Sequence, residues 1–271
     1  MKKIISLVLI AVMLCTMLAS CGAKTYDDLA IVDLGFEKEY FGIAFRSGSD
    51  MTRKVEDITL ELINDGKLEE LSEKYEVGAV GADEYTPKAD PCEGSDDWAN
   101  IQAKGKLVIG ITDYKPMDYR ENGEWVGFDA DMAKEFAEYL GVEVEFIVID
   151  WDNKIFELEN KSIDVVWNGM TLTDKVKEAM GTSDPYCKNA QVVVVKSDVA
   201  AQYQDEASLA DLAFAVEAGS AGKEIVESLG LDFTEVAYQS DALMEVAAGT
   251  SDACVIDLLM AGAMIGEGTG Y

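Results

Sequence analysis

The chain lacks histidine altogether, although it has 271 residues. This absence removes imidazole general bases, Ser-His-Asp triads and most zinc sites. Basic residues are also scarce, because 22 Lys and Arg stand against 52 Asp and Glu and give a formal net charge of −30. Phosphate binding depends on Lys and Arg, so this balance argues against a nucleic-acid partner. The sequence predicts neither a metal site nor a cofactor.

Cysteine is too scarce for a disulfide framework. Two of the five cysteines, Cys15 and Cys21, lie near the N-terminus, which leaves Cys92, Cys187 and Cys254. Three thiols cannot all be paired within one chain. We expect small buried thiols. A single bridge is the alternative, and the sequence does not choose its partners.

Long apolar runs are absent except near the N-terminus, where Lys2 and Lys3 precede a mainly apolar run over residues 4–19. That run is short for a membrane span and typical of a secretory signal. It ends in LASC, which resembles a bacterial lipobox, so we predict a signal peptide at residues 1–20 and lipidation of Cys21. An ordinary signal with an incidental Cys is the alternative. The first interpretation predicts an extracytoplasmic protein held at the cell membrane by a lipid anchor only.

Short apolar runs alternate with helical patterns from residue 107 onward. Residues 107–111 are strand-like, an amphipathic helix follows Asp129 as its predicted N-cap, and residues 142–148 alternate as in a strand. Such alternation predicts α/β layers with mostly parallel sheets. The pattern continues with strands near 163–167, 191–196, 213–217, 235–238 and 253–256 and helices near 174–180, 223–229, 241–248 and 258–265.

The early part of the chain has a different pattern. Two strands are predicted at 30–34 and 41–45, followed by a helix that Asp50 caps and by a second amphipathic helix. Residues 78–97 then contain GADEYTPKADPCEGSDD, which is rich in Gly, Pro and Asp. This composition predicts a linker.

Three motifs of the later segment carry a family resemblance, namely GKLVIGITDYKPMDY, GEWVGFDADMAKEFAEYLGVEVEF and SIDVVWNGMTLTDKVKEAMGTSDPY. With FAVEAGSAG, ALMEVAAGTSDACVID and MIGEGTGY, they resemble the extracytoplasmic solute-binding proteins of ABC importers, in the polar amino acid family, family 3. The resemblance implies a two-lobed α/β fold of the type II periplasmic-binding-protein class. Each lobe is then a mostly parallel sheet flanked by helices, and two hinge strands join the lobes. It also implies a small polar solute, an ABC permease as partner, and no catalysis.

The order of the segments departs from that family. Its closing pieces, a lobe 2 strand, a hinge strand and two helices, are matched here by upstream residues that begin TYDDLAIVDLGFEKEYFGIAF. We interpret this order as a circular permutation in which a linker at 78–97 joins the ancestral termini. The alternative is a rearranged chain that completes its fold by swapping with a second copy. The predicted boundaries are 42–77 plus 98–187 for lobe 1, 188–271 plus 25–41 for lobe 2, and 39–44 and 186–190 for the hinges.

Residues that follow the strands are the candidates for ligand contact, because ligands of open parallel sheets lie at the carboxyl ends of strands. The resemblance places Tyr114 and Met117 where the family packs aromatic residues on the ligand, although Met117 is not aromatic. Trp151 matches another family contact, with core packing as the alternative. Trp167 lies within a strand and is predicted to belong to the core.

Asn168, Gly169 and Thr171 form the strongest constellation, a strand end that leads into a helix start. Backbone N–H groups and threonine hydroxyls at such a point suit a carboxylate, and the resemblance makes all three residues ligand contacts. The family's Arg, which clamps the α-carboxylate, is replaced here by Val176. Either Lys115 or another cation takes over this role, or the ligand lacks that carboxylate.

Acidic residues follow the later strands. By the resemblance, Glu217 faces the ligand side chain, Ser220 begins a helix at the cleft, and Asp257 accepts the ligand's α-ammonium. A salt bridge for Glu217 and a helix cap for Asp257 are the alternatives. Together with Asp113, these acids favour a basic amino acid or a related amine, because an unpaired buried charge is costly.

A lipid-anchored solute-binding protein is therefore the predicted function. One alternative is an enzyme of the same fold, because some relatives are dehydratases that act on arogenate or prephenate and a carboxylate such as Glu217 would serve there. A sensor or interaction domain, which usually continues into a membrane segment, and a rearranged chain that never folds are the others.

Overall fold

The computed structural model describes residues 26–85 and 95–265 of the chain. The predicted signal peptide, the predicted lipidation site Cys21 and the thiol of Cys92 lie outside the described residues. None of the helices in the described ranges has both the length and the apolar character that a membrane crossing requires.

The described residues form an α/β structure, as the alternating pattern predicts. The strands are β1 (Leu29–Val32), β2 (Lys38–Arg46), β3 (Lys106–Ile111), β4 (Tyr119–Glu121), β5 (Glu124–Val126), β6 (Glu143–Val148), β7 (Val165–Thr171), β8 (Met180–Thr182), β9 (Cys187–Lys196), β10 (Ala213–Glu217), β11 (Asp232–Val236) and β12 (Ala253–Asp257). The α-helices are α1 (Met51–Asn64), α2 (Lys67–Tyr75), α3 (Asp97–Lys104), α4 (Phe128–Leu140), α5 (Lys154–Glu159), α6 (Asp174–Ala179), α7 (Ala221–Leu229), α8 (Gln239–Ala248) and α9 (Leu258–Met264).

Two lobes share one continuous strand path, in the order β11-β10-β12-β9-β2-β7-β3-β6. Lobe 1 is the half built on the parallel strands β3, β6 and β7, and lobe 2 is the half built on the parallel strands β10, β11 and β12. Strand β9 joins the lobes, because its beginning pairs with β2 and its remainder pairs antiparallel with β12. This is the two-lobed architecture that the sequence predicts.

The early segment is built into both lobes. Strand β1 pairs antiparallel with β9 in lobe 2, and β2 lies between β9 and β7 in the middle of the path. Phe41, Ile43 and Phe45 of β2 are fully buried in the same core cluster as Phe136 and Trp167. Burial of Trp167 agrees with its predicted place in the core. Residues on both sides of the predicted linker therefore form a single core.

The two predicted helix caps have different outcomes. Asp50 is the N-cap residue of α1, as predicted, whereas Asp129 is not an N-cap residue, and the side chains of both bind distant backbone groups. Asp50 precedes α1, but its carboxylate accepts a hydrogen bond from the backbone N–H of Trp98 at 3.0 Å. Asp129 lies in the first turn of α4, and its carboxylate accepts from the backbone N–H of Gly169 at 2.6 Å. The N-cap of α4 is Gly127.

The predicted linker is partly docked on the body. The backbone N–H of Val80 donates to the carbonyl of Tyr186 at 2.9 Å, and the Tyr85 hydroxyl donates to the buried Glu56 carboxylate at 2.8 Å. Beyond the undescribed residues, the chain enters helix α3, which the sequence pattern did not predict. The described part of residues 78–97 thus contributes packing contacts to the fold.

Two smaller expectations have clear outcomes. Cys187 and Cys254 are free and buried, which confirms the expected small buried thiols at these two positions. Strand β11 begins three residues before the predicted strand at 235–238. It is an edge strand on which Asp232, Thr234 and Glu235 are exposed and Phe233 and Val236 are half-buried. Because β11 ends at Val236, helix α8 begins shortly afterwards, at Gln239.

Candidate functional site

A cleft between the lobes encloses about 660 Å³, part of it open to solvent. Lobe 1 contributes the ends of β3 and β7 and the start of α5, and lobe 2 contributes the ends of β10 and β12. Of the predicted ligand contacts, only Met117 is outside the described lining. The predicted residues that line the cleft are Tyr114, Trp151, Asn168, Gly169, Thr171, Glu217, Ser220 and Asp257.

Asn168 fixes the floor of the cleft in lobe 1. Its amide nitrogen donates to the carbonyl of Thr112 at 3.0 Å and to the Asp118 carboxylate at 2.8 Å. Its amide oxygen accepts from the backbone N–H and the hydroxyl of Thr112, at 3.0 and 2.7 Å. Both ends of the amide are therefore engaged within the protein, and the side chain holds the ends of β3 and β7 together.

Gly169 lets the backbone approach the ring of Tyr114 closely. Its φ is +52°, and a Cβ atom there would lie 2.5 Å from the Tyr114 ring and 3.2 Å from Met117 Cγ. A side chain at this position would be both strained and in collision. Met117 itself is fully buried behind Gly169.

The Tyr114 hydroxyl is a buried donor without a partner among the described residues. The residue is only 2% exposed and lines the cleft. A buried hydroxyl that makes no hydrogen bond costs free energy, so such a group in a cleft is suited to a ligand acceptor.

The cations of the described cleft lining do not include Lys115, which the sequence suggests as one replacement for the family's Arg. The Lys115 ammonium lies over the Tyr119 ring, 5.1 Å from its centroid, and does not line the described cleft. Val176 is packed in the apolar cluster of lobe 1. The lysines that do line the cleft are Lys154 and Lys175.

Hydroxyl groups at the two helix starts are engaged within the protein. Thr173 caps α6 by accepting from the Val176 N–H, and Ser220 caps α7 by accepting from the Lys223 N–H at 3.1 Å. The Thr171 hydroxyl donates to the Glu39 carboxylate at 3.2 Å. These side chains therefore set the positions of the strand and helix ends around the cleft.

Two buried acids from lobe 2 dominate the electrostatics. Glu217 is 3% exposed and Asp257 is 4% exposed. Burial, and next the charge of Asp257, raises the pKa of Glu217 from 4.5 to about 8, while Lys154 opposes the rise. Burial, and next the charge of Glu39, raises the pKa of Asp257 from 3.8 to about 7. A bound cation would lower both values, because it favours the ionised carboxylates.

Amide side chains that sequence reasoning missed hold Asp257 in place. Its carboxylate accepts from the amides of Asn189, Gln191 and Gln239, the Gln191 bond being 2.8 Å long. The Asp257 N–H in turn donates to the Gln239 side-chain oxygen at 2.9 Å. Asp257 is the N-cap residue of α9 but makes no side-chain cap bond, so the capping alternative is not realised.

The lobes touch where the start of α5 meets the turn after β10. The Lys154 ammonium donates to the Gly219 carbonyl at 2.9 Å and to the Trp151 carbonyl at 3.1 Å. It also lies 4.7 Å from the centre of the Trp151 ring. A Cβ atom on Gly219 would lie 2.7 Å from the Asp152 carboxylate and 2.9 Å from its Cα. Glycine at 219 therefore permits this close approach.

We expect Gly219→Ala to weaken ligand binding by about 10-fold or more, because the added methyl group holds the lobes apart. Gly230→Ala is the matched control, since Gly230 has a similar positive φ of +67° but an open surrounding. Both variants lose roughly 1 kcal/mol of stability or slightly more. Calorimetric titration with the ligand separates them, and equal affinities for the two variants would contradict this role of Gly219.

The ligand-free protein is expected to lose stability as the pH rises from about 5 to 8. Folded-state pKa values near 7 to 8 for Asp129, Glu217 and Asp257 exceed their unfolded values, so the folded state holds more protons in this window. Stability then falls with rising pH, by up to about 1.4 kcal/mol per pH unit for each such group. Urea unfolding at pH 5.5 and 8 should show a decline of at least ~1 kcal/mol. Glu217→Gln should flatten the slope, and a stability that rises with pH would contradict these assignments.

The family model for bacterial extracellular solute-binding proteins, family 3, matches residues 107–246, about half of the chain. The arginine-binding extracellular protein ArtP of Bacillus subtilis (strain 168) is 33% identical over 176 residues, which are 62% of this chain and 67% of that protein. A cyclohexadienyl dehydratase of Pseudomonas aeruginosa is 29% identical over 106 residues, 38% of this chain and 40% of that protein.

Solved structures agree with these matches. The arginine-bound form of truncated ArgBP from T. maritima superposes with a TM-score of 0.58 at 36% identity, over 60% of this chain and 78% of that one. The region matched by the family model begins at residue 107, so β1, β2, α1 and α2 precede it.

Proposed function

Since the chain belongs to the bacterial extracellular solute-binding proteins of family 3, we propose that its cleft captures a cationic polar amino acid of the arginine or lysine type. Membership of an extracellular family implies an extracytoplasmic location. The ligand closes the lobes around itself and undergoes no chemistry.

The observation that carries this proposal is the pair of buried carboxyl groups, Glu217 and Asp257. Both line the cleft, both have raised pKa values, and neither carries a salt bridge of 4.0 Å or less within the described residues. Burying acids without a strong counter-charge is costly. A ligand with an α-ammonium and a second cationic group would supply that charge. The arginine-binding relatives support the same ligand class.

The wider context belongs to the same proposal. Lipidated Cys21 anchors the protein to the cell membrane, and the loaded protein delivers its solute to an ABC permease. The chain is a circular permutation that closes on itself, with lobe 1 at 42–77 plus 98–187, lobe 2 at 188–271 plus 25–41, and the ancestral termini joined at 78–97. The central place of β2 between β9 and β7 supports closure within one chain. Light scattering on the purified protein should give a monomer, and a stable dimer would favour segment swapping.

A thermal-shift screen over amino acids and amines tests the ligand class. Arginine, lysine or ornithine at 100 times the dissociation constant should add about 2.7 kcal/mol of stability and raise the melting temperature by several degrees. Glutamate and aspartate should have no effect. A shift with acidic amino acids alone would reject the proposal.

A dehydratase is the second candidate, favoured by the Pseudomonas aeruginosa relative and by the raised pKa of Glu217, which suits a general acid. Incubation of the purified protein with arogenate or prephenate, followed by analysis of aromatic products, distinguishes the two functions. We expect no turnover.

A further inference from the structure

Lys154 is a buried cation of the cleft, and it has no role in the binding of a cationic group. Lys154 is only 6% exposed, and its ammonium lies among cleft-lining groups. Lysine is rarely buried unless its charge is used, because removal of an ammonium from water is costly.

The hydrogen bonds of Lys154 leave room for a ligand. An ammonium has three N–H groups, and within the described residues two of them go to the carbonyls of Trp151 and Gly219. Carbonyl oxygens orient the ammonium but do not neutralise it. The pKa of Lys154 is lowered to about 8 by burial, an effect that Glu217 opposes and Lys175 reinforces. A bound anionic group would reverse that shift.

A second cation stands at the same side of the cleft. Lys175 is exposed, is the second residue of α6 and lines the cleft. Its charge acts on Lys154 together with the charges of three cleft-lining acids, Glu217, Asp152 and Glu224. Lys154 and Lys175 are thus the cations of the described cleft lining in a chain of net charge −30. Val176, the next residue, is turned into the apolar cluster and offers no charge.

We infer that Lys154, with Lys175 at the rim, receives the carboxylate of the bound amino acid while Glu217 and Asp257 receive its cationic groups. This inference rests on the proposed function, because it concerns the orientation of the same ligand. Lys154 is then the residue that makes the protein prefer an amino acid over the amine that lacks its carboxylate.

The test compares ligands that differ only in the carboxylate. Calorimetric titrations measure arginine against agmatine, and lysine against cadaverine, for the unmodified protein, Lys154→Met and Lys154→Arg. The unmodified protein should prefer arginine over agmatine by roughly 10- to 100-fold, as a charge-assisted hydrogen bond implies. Lys154→Met should lose most of this preference, because the affinity for arginine falls much more than the affinity for agmatine. Lys154→Arg should retain the preference.

The matched control is Lys177→Met, an exposed lysine on the same helix as Lys175 that does not line the cleft. It should leave both affinities unchanged. Equal losses for arginine and agmatine in Lys154→Met would show a role in lobe closure and overturn the inference. A preference that survives in Lys154→Met would overturn it as well. If the unmodified protein binds neither arginine nor lysine, the proposed function itself fails, and the inference fails with it.

Discussion

Replacing Arg46 with alanine is expected to lower the free energy of unfolding by about 3–5 kcal/mol. Arg46 ends β2, and its side chain is only 13% exposed. Its Nε donates to both oxygens of Asp97 at 3.1 Å, and its Nη1 donates to the carbonyls of Leu158 and Ile163 at 3.0 and 2.9 Å. Without the guanidinium, the Asp97 carboxylate stays buried and the carbonyls of Leu158 and Ile163 each lose one donor.

This variant tests whether the early segment is part of the body, because Asp97 begins α3 at the C-terminal end of the predicted linker. Arg53→Ala is the matched control. It removes the same charge from the same segment, but the Arg53 side chain is 57% exposed and, within the described residues, it pairs with Asp57 at i,i+4. Such a pair contributes about 0.5 kcal/mol or less. Urea unfolding followed by circular dichroism gives both values, and similar losses for the two variants would contradict the integration of β2.

Asp257→Asn is expected to weaken binding of arginine or lysine by about 30-fold or more. Truncating one partner of a buried, hydrogen-bonded charge pair costs about 2–5 kcal/mol, and 1.4 kcal/mol corresponds to tenfold in affinity. The amides of Asn189, Gln191 and Gln239 hold the carboxyl group of Asp257 in place, so its position is set before the ligand arrives.

Asp252→Asn is the control for this prediction. It makes the same change in charge at the other end of β12, where the Asp252 carboxylate accepts from the exposed N–H of Ala213 at 3.0 Å. Its effect on affinity should be less than about twofold. Calorimetric titration measures the ligand affinity of both variants. An unchanged affinity of the Asp257→Asn protein would show that Asp257 does not contact the ligand.

Much of the fold follows from local patterns. The strands β3, β10 and β12 and the helices between them are predicted because apolar runs and helical stripes alternate there. Helix α3 was missed, because it is short and follows a stretch rich in Gly, Pro and Asp. Neither Asp50, which is the N-cap residue of α1, nor Asp129 makes a side-chain cap bond, and the cause is the same for both. The carboxylates of Asp50 and Asp129 accept hydrogen bonds from backbone N–H groups 48 and 40 residues away. The local sequence does not indicate such bonds.

In the candidate site too, some residues were predicted from the sequence and others were missed. Thr171, Glu217 and Asp257 were predicted because they follow strands and because the family resemblance matches them to ligand contacts, and all three line the cleft. Lys154 was missed, because it is the first residue of α5 and a lysine there normally points to solvent. Gln239 was missed since the preceding strand was placed three residues too late. Gln191 and Asn189 lie within β9 and act only through the pairing of β9 with β12.

Proton exchange during arginine binding tests the central claim most directly, which is that buried Glu217 and Asp257 receive the ligand's positive charge. Calorimetric titrations at pH 7.5 in two buffers of different ionisation enthalpy measure it. We predict one arginine per chain and a net release of protons, because the ligand lowers carboxyl pKa values that lie near 8 and 7 in the free protein. Binding of glutamate with no heat from arginine, or a net uptake of protons on arginine binding, would contradict the account.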